Sequence, residues 1–189
     1  MSGDYSRKRF NPEKHYQGVL RQQGRVDLDA DWNEYVDLQD RRWRAETIDV
    51  VGRSGVPDET PDGFKIAVSG GELTVGQGRM YVDGYVAENH GTAPAFEPTL
   101  EEGYGTAALP VKNQPYGGPV TVPAQVRSLV YLDVWRREVT HLQAPDLIEP
   151  AVNVDSTTRY QTAWQVRVLA NIPPDITCDT PLSDIPGWP

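Results

Sequence analysis

Sixteen prolines and seventeen glycines interrupt this chain of 189 residues. Turn-forming residues at that density favour short strands with many connections over a helical bundle. The length fits one domain, or one domain with an extension, and a chain of this size buries about two-thirds of its unfolded surface. The hydrophobic share of 38% is low-normal. No run approaches the roughly 18 apolar residues of a membrane span, so none is expected. Residues 1–10 lack the apolar centre of a secretory signal, which predicts synthesis in the cytosol without export by that route. The single cysteine, Cys178, excludes an internal disulfide framework and any multi-cysteine metal site.

Charge is unevenly placed. Residues 1–53 balance ten Lys/Arg against ten Asp/Glu, whereas residues 54–189 hold eight against seventeen and supply the whole net charge of −9. The larger part would repel a phosphate backbone, so nucleic acid is not an expected partner. In the balanced part Arg7, Lys8, Arg9 and Lys14 offer contacts to an acidic partner or, as readily, a solvated surface.

The pattern along the chain predicts an α+β fold: an N-terminal arm, one long amphipathic helix, a mostly antiparallel sheet or small sandwich, and a Pro-rich tail. Residues 1–18 read as an extended arm with Tyr5, Phe10 and Tyr16 as aromatic anchors for a neighbour or for its own domain. Residues 19–170 form the α+β, adaptor-like domain, and residues 171–189 an extended tail or linker. The helix is expected over residues 31–51, with Asp31 and Glu34 as a capping box and Gly52 as a stop. Leu28, Trp32, Tyr35, Val36, Trp43 and Val50 recur at three- and four-residue spacing and predict a buried face. Gly70-Gly71 between residues 64–69 and 72–75, and Asp83-Gly84 between 79–82 and 85–88, signal hairpins. Residues 89–126 lack periodicity and read as a contact loop. Residues 128–139 and 159–169 alternate, as strands buried on one side do.

The motifs that carry chemistry fail on inspection. Asp27, Asp29 and Asp31 begin like a calcium loop, but Trp32 stands where glycine is needed and Leu38 where a bidentate Glu belongs. No Lys-Ser/Thr follows the glycines at 70–78 to make a phosphate cradle. His15, His90 and His141 are scattered, Ser54 lacks a nucleophile elbow, and Cys178 has no basic neighbour. Glu101 and Glu102 are an ordinary acidic pair in an acidic chain. No catalytic, cofactor-binding or metal-ligating residues are expected.

One segment is distinctive. Residues 22–34, QQGRVDLDADWNE, run from a Gly-Arg turn through alternating acidic and apolar positions into the helix. Together with Gly3-Asp4-Tyr5-Ser6-Arg7, Phe10-Asn11-Pro12, Lys14-His15-Tyr16, the GRMYVDG of residues 78–84, Tyr131-Leu132-Asp133-Val134-Trp135, Arg137-Glu138-Val139-Thr140 and Trp164-Gln165-Val166, it resembles an uncharacterised bacterial and archaeal domain family. That family sits at the N-terminus of proteins encoded beside phage tails and phage-tail-like contractile injection systems. The resemblance implies a non-enzymatic structural role near a baseplate or fibres. Expected partners are baseplate, fibre or spike proteins, met by multiple symmetric copies in a particle that is assembled in the cell and released. Tyr5, Arg7, Phe10, Tyr16, Arg25, Asp29 and Asp31 are the expected docking residues, and Trp32, Trp43, Trp135 and Trp164 the expected structural core. Two other readings stay open: a carbohydrate- or surface-binding module, and cargo carried in the injection tube.

Overall fold

The computed structural model describes residues 3–69, 72–92, 107–120, 122, 123 and 125–189. Among the described residues one α-helix, α1 (Asp29–Val51), precedes ten strands: β1 (Ser54–Gly55), β2 (Ile66–Ser69), β3 (Glu72–Val75), β4 (Gly78–Val82), β5 (Tyr85–Asn89), β6 (Leu109–Pro110), β7 (Ser128–Val139), β8 (Ile148–Glu149), β9 (Val154–Asp155) and β10 (Arg159–Ala170). They form sheets of order β1–β4–β5, β2–β3–β6, β7–β10 and β8–β9. One helix with several antiparallel sheets is the expected α+β class. No helix among the described residues is long and apolar enough to cross a membrane.

The chain divides into two compact units. Unit one comprises Met1–Gly55, Tyr81–Tyr85 and Arg136–Gln161; unit two comprises Val56–Met80, Val86–Trp135 and Thr162–Pro189.

In unit one the helix starts two residues earlier than expected and stops at Gly52, whose φ of 92° no ordinary side chain tolerates well. The expected capping box is absent, because the N-cap is Leu28 and contributes no side-chain hydrogen bond. The acids of the first turn are turned to the arm instead. Arg44 lies over the Tyr85 ring at 4.1 Å. The tight turn that places Tyr85 has positive φ at both Asp83 (46°) and Gly84 (77°), the backbone that the Asp-Gly pair predicted. On the same helix, Asp40 pairs with Arg136 of β7 at 2.7 Å.

Unit two holds the main apolar core. Phe64, Val75, Ala87, Val111, Trp164 and Val166 are buried together. Full burial of a Val or larger side chain stabilises by about 1.5–3 kcal/mol. Trp164 is 3% exposed, meets Phe64 edge-to-face with centroids 5.0 Å apart, and donates its indole N–H to the Glu88 carbonyl at 2.7 Å. Strands β2 and β3 pair in register, Ile66 with Val75 and Val68 with Leu73. Two of its buried amides are braces for the backbone. Asn89 donates to the carbonyls of Val75 and Gly76 at 3.2 and 2.9 Å and accepts from the Gly91 N–H at 3.0 Å. Gln114 accepts from the Val166 N–H at 2.8 Å and donates back to the Val166 carbonyl, as a neighbouring strand would.

Several expectations need correction. Trp32 and Trp43 are 61% and 67% exposed, so neither is core. On α1 only Ala30 and Leu38 are buried. Helical spacing of apolar residues shows that a face exists, not that anything covers it. Trp135 is half-buried against Tyr116, centroids 6.2 Å apart. The middle of β10 is covered on both sides, since Ala163, Trp164, Gln165 and Val166 are all buried; a half-buried strand would alternate. Within the expected contact loop, Val111 is core and Gln114 a buried brace, while residues 93–106, 121 and 124 lie outside the described residues. The Pro-rich segment is no free linker. Ile172, Ile176 and Ile185 are buried with Leu129, Leu169 and Trp188, and Arg127 clamps it by donating to the Ile176 carbonyl at 2.7 Å.

Candidate functional site

Within unit one, the arm is bonded to the start of α1 and to the strand ends beside it. Ser6 donates its backbone N–H and its hydroxyl to Asp29, at 2.8 and 2.6 Å. Arg9 pairs with Asp31. Tyr5 donates to the Glu138 carboxylate and sits 2.6 Å from the Thr158 hydroxyl. Three polar attachments, one at each end and one between, hold residues 5–9 in a single path. They leave recesses on either side.

The first recess is a groove of about 830 Å³ along residues 19–35. Its apolar lining stands out in solvent: Leu20 is 92% and Val26 83% exposed, beside Leu28, Trp32 and Tyr35. Trp32 and Tyr35 rings meet at a tilt, 6.1 Å between centroids. Arg25 lines the same groove, whereas Arg21 is engaged with Asp27 at 3.3 Å. The Gly-Arg turn that the sequence signalled is present, closed by the Arg25 N–H on the Gln22 carbonyl.

The second recess is a cleft of about 460 Å³ between the arm, α1 and the ends of β7 and β10. Tyr160 forms part of its wall, with the Arg136 guanidinium 4.3 Å above the ring. Three groups in it hold their protons more tightly than usual. Burial pushes the Asp37 carboxyl up, against the attraction of Arg136 and Lys8. Burial likewise raises the Tyr5 phenol, helped by its bond to Glu138, and raises Tyr160 with the nearby Asp37 carboxylate adding to the effect. Titratable groups shifted by desolvation in a cleft mark a candidate site. Their chemistry here is that of hydrogen-bond donors and acceptors. Among the described residues no group of three or more His, Cys, Asp or Glu side chains is placed to hold a metal ion.

The residues expected to dock therefore separate. Tyr5 and Arg7 line the cleft; Arg25 and Asp31 line the groove. Phe10 and Tyr16 line a third recess against α1 near Leu38, where Lys14 sits 5.7 Å from the Tyr16 ring. Asp29 is committed to Ser6, which also holds its carboxyl below the ordinary carboxylate range. Sequence reasoning missed Asp37, Arg136, Glu138, Thr158 and Tyr160. They lie 100 or more residues from the arm or within an ordinary helical pattern, and only the fold brings them to Tyr5.

No curated protein matches the chain, and no solved structure does. A model of a family of unknown function, DUF6519, matches residues 1–183. The chain belongs to that family.

Proposed function

We propose that this protein is a non-enzymatic structural adaptor of a phage-tail-like contractile injection particle. In this reading it is made in the cytosol, joins the particle beside the baseplate or fibres, and acts by docking to other proteins of the assembly. The carrying observation is the row of solvent-exposed Leu20, Val26, Leu28, Trp32 and Tyr35 around the 830 Å³ groove. Contiguous exposed apolar side chains rimmed by charge mark protein interaction sites, and aromatic residues are favoured anchors in such interfaces. The resemblance of residues 22–34 and the other quoted segments to proteins encoded beside phage tails supplies the kind of partner. Tight bonding of the arm to the start of α1 keeps the groove preorganised, which lowers the entropy lost on docking.

The test is incorporation of a tagged chain into particles from its own gene cluster. Leu20→Asp with Val26→Asp should abolish incorporation while the isolated protein melts as before. Undiminished incorporation of the double variant overturns the reading. Density for the tag inside the tube lumen overturns it in favour of cargo.

A further inference from the structure

We propose that the cleft between the arm, α1 and the ends of β7 and β10 binds an acidic saccharide, with Trp32 stacking on a sugar ring and Arg7 and Lys8 receiving its carboxylate. This goes beyond the docking reading and does not depend on it. Where the adjoining groove is rich in aliphatic side chains, the cleft has one, Val36; the rest of its lining is aromatic, charged or amide and hydroxyl. A protein anchor seeks aliphatic and aromatic burial. A sugar instead presents C–H faces for aromatic rings and hydroxyls for planar polar groups, and the cleft offers both.

Charge sets the class of sugar. The cleft carries five cations, Arg7, Lys8, Arg9, Arg136 and Arg159, against the carboxylates of Glu34, Asp37 and Glu138, in a chain whose net charge is −9. Two of the five are already committed, Arg9 to Asp31 and Arg136 to Asp40. Among the described residues neither Arg7 nor Lys8 stands within ion-pair distance of a carboxylate, and Lys8 is drawn only to Asp37 of the same cleft. They stand at the rim, exposed, ready to pair with an anion. Other parts of the lining are held in place: Tyr5 is bonded to Glu138 and Thr158, and Tyr160 is capped by Arg136. Asp37, whose carboxyl is raised by burial, adds a group able to exchange hydrogen bonds with sugar hydroxyls. A volume of about 460 Å³ lies within the roughly 300–1,000 Å³ of small-molecule sites, enough for a short oligosaccharide.

Calorimetric titration of the intact chain with digalacturonate, a hyaluronan tetrasaccharide and sialyllactose, each beside its neutral methyl ester, tests this. At least one acid should bind about tenfold more tightly than its ester. The double variant Arg7→Gln, Lys8→Gln should erase that preference, and Trp32→Ala should weaken both forms by about tenfold. Trp43→Ala, an exposed tryptophan outside the cleft, should change neither. No binding of any of the three at about 10 mM, equal affinity for acid and ester, or binding indifferent to Trp32→Ala overturns the proposal. Tighter binding of tetraglutamate than of every saccharide overturns it in favour of an acidic peptide. Trp32 borders both recesses, but Leu20 and Val26 line only the groove and Arg7 and Lys8 only the cleft, so those two double variants test the docking groove and the saccharide site separately.

Discussion

Ser6 meets Asp29 with both of its donors, the backbone N–H at 2.8 Å and the hydroxyl at 2.6 Å, one to each carboxylate oxygen. The pair joins the arm to the first residue of α1 across 23 positions of sequence. Asp29→Ala should free the arm. Hydrogen exchange at the Ser6 amide should speed up and limited proteolysis near residue 6 should begin, with the remainder of the protein protected as before. Unchanged protection at Ser6 would show that Arg9 and Tyr5 suffice.

The same pair has a pH signature. Hydrogen bonds from Ser6 lower the Asp29 carboxyl, so its folded value lies below the unfolded value of about 3.9. For a depressed carboxylate the contribution is present above the unfolded value and is lost as pH falls through the folded one. The Ser6 amide resonance should accordingly hold its bonded position down to mild acid and shift only below pH of about 4. A shift centred above that point contradicts the sign.

Asp37 predicts the reverse. Burial raises its carboxyl, so the folded state binds the proton more tightly than the unfolded chain and ionisation at neutral pH costs stability. Asp37→Asn should raise the melting temperature at pH about 7, and the gain should disappear on acidification below the unfolded value of about 3.9. A melting temperature lowered at neutral pH would mean that attraction to Arg136 and Lys8 outweighs desolvation.

The tryptophans should divide by burial. Trp164→Ala removes a ring from the core and should destabilise by about 3–5 kcal/mol, whereas Trp43→Ala, two-thirds exposed, should cost under about 1 kcal/mol. Chemical denaturation of the two variants decides it, and similar losses would place Trp43 in an interior that its exposure excludes.

Asn89 is the sharpest test of the polar core. Its amide donates to two carbonyls and accepts from one N–H, so Asn89→Ala should cost about 2–3 kcal/mol. Asn89→Asp should be worse at neutral pH, since a carboxylate would face the carbonyls of Val75 and Gly76, and the gap to alanine should narrow in acid. An aspartate variant as stable as wild type would mean that those carbonyls are satisfied otherwise.

Local chemistry was legible wherever a short stretch settles its own geometry. The Gly-Arg turn, the Asp83-Gly84 hairpin, the stop at Gly52 and the two long strands all follow from φ preferences and alternation within a few residues. The helix was legible as a helix, but its role was not. Trp32 and Trp43 sit at core-like spacing yet face solvent, because burial depends on whether another part of the chain arrives to cover them. The Asp31–Glu34 capping box failed for a similar reason: the helix begins before Asp31, and Asp31 pairs with Arg9, which a scan of neighbouring positions cannot foresee.

The sequence by itself determined the α+β class, the one long helix, the turns and the distinctive stretch at residues 22–34, since each depends on propensities expressed within about one element's length. Tertiary structure alone decided that the Gln114 side chain bonds the Val166 backbone of β10, that the Pro-rich end packs against Leu129 through Ile172, Ile176 and Ile185, and that Tyr5 meets Glu138. Those pairings join residues separated by dozens to more than a hundred positions. Which of them form is settled by competition among all burial and hydrogen-bonding choices at once, and no local pattern records the winner.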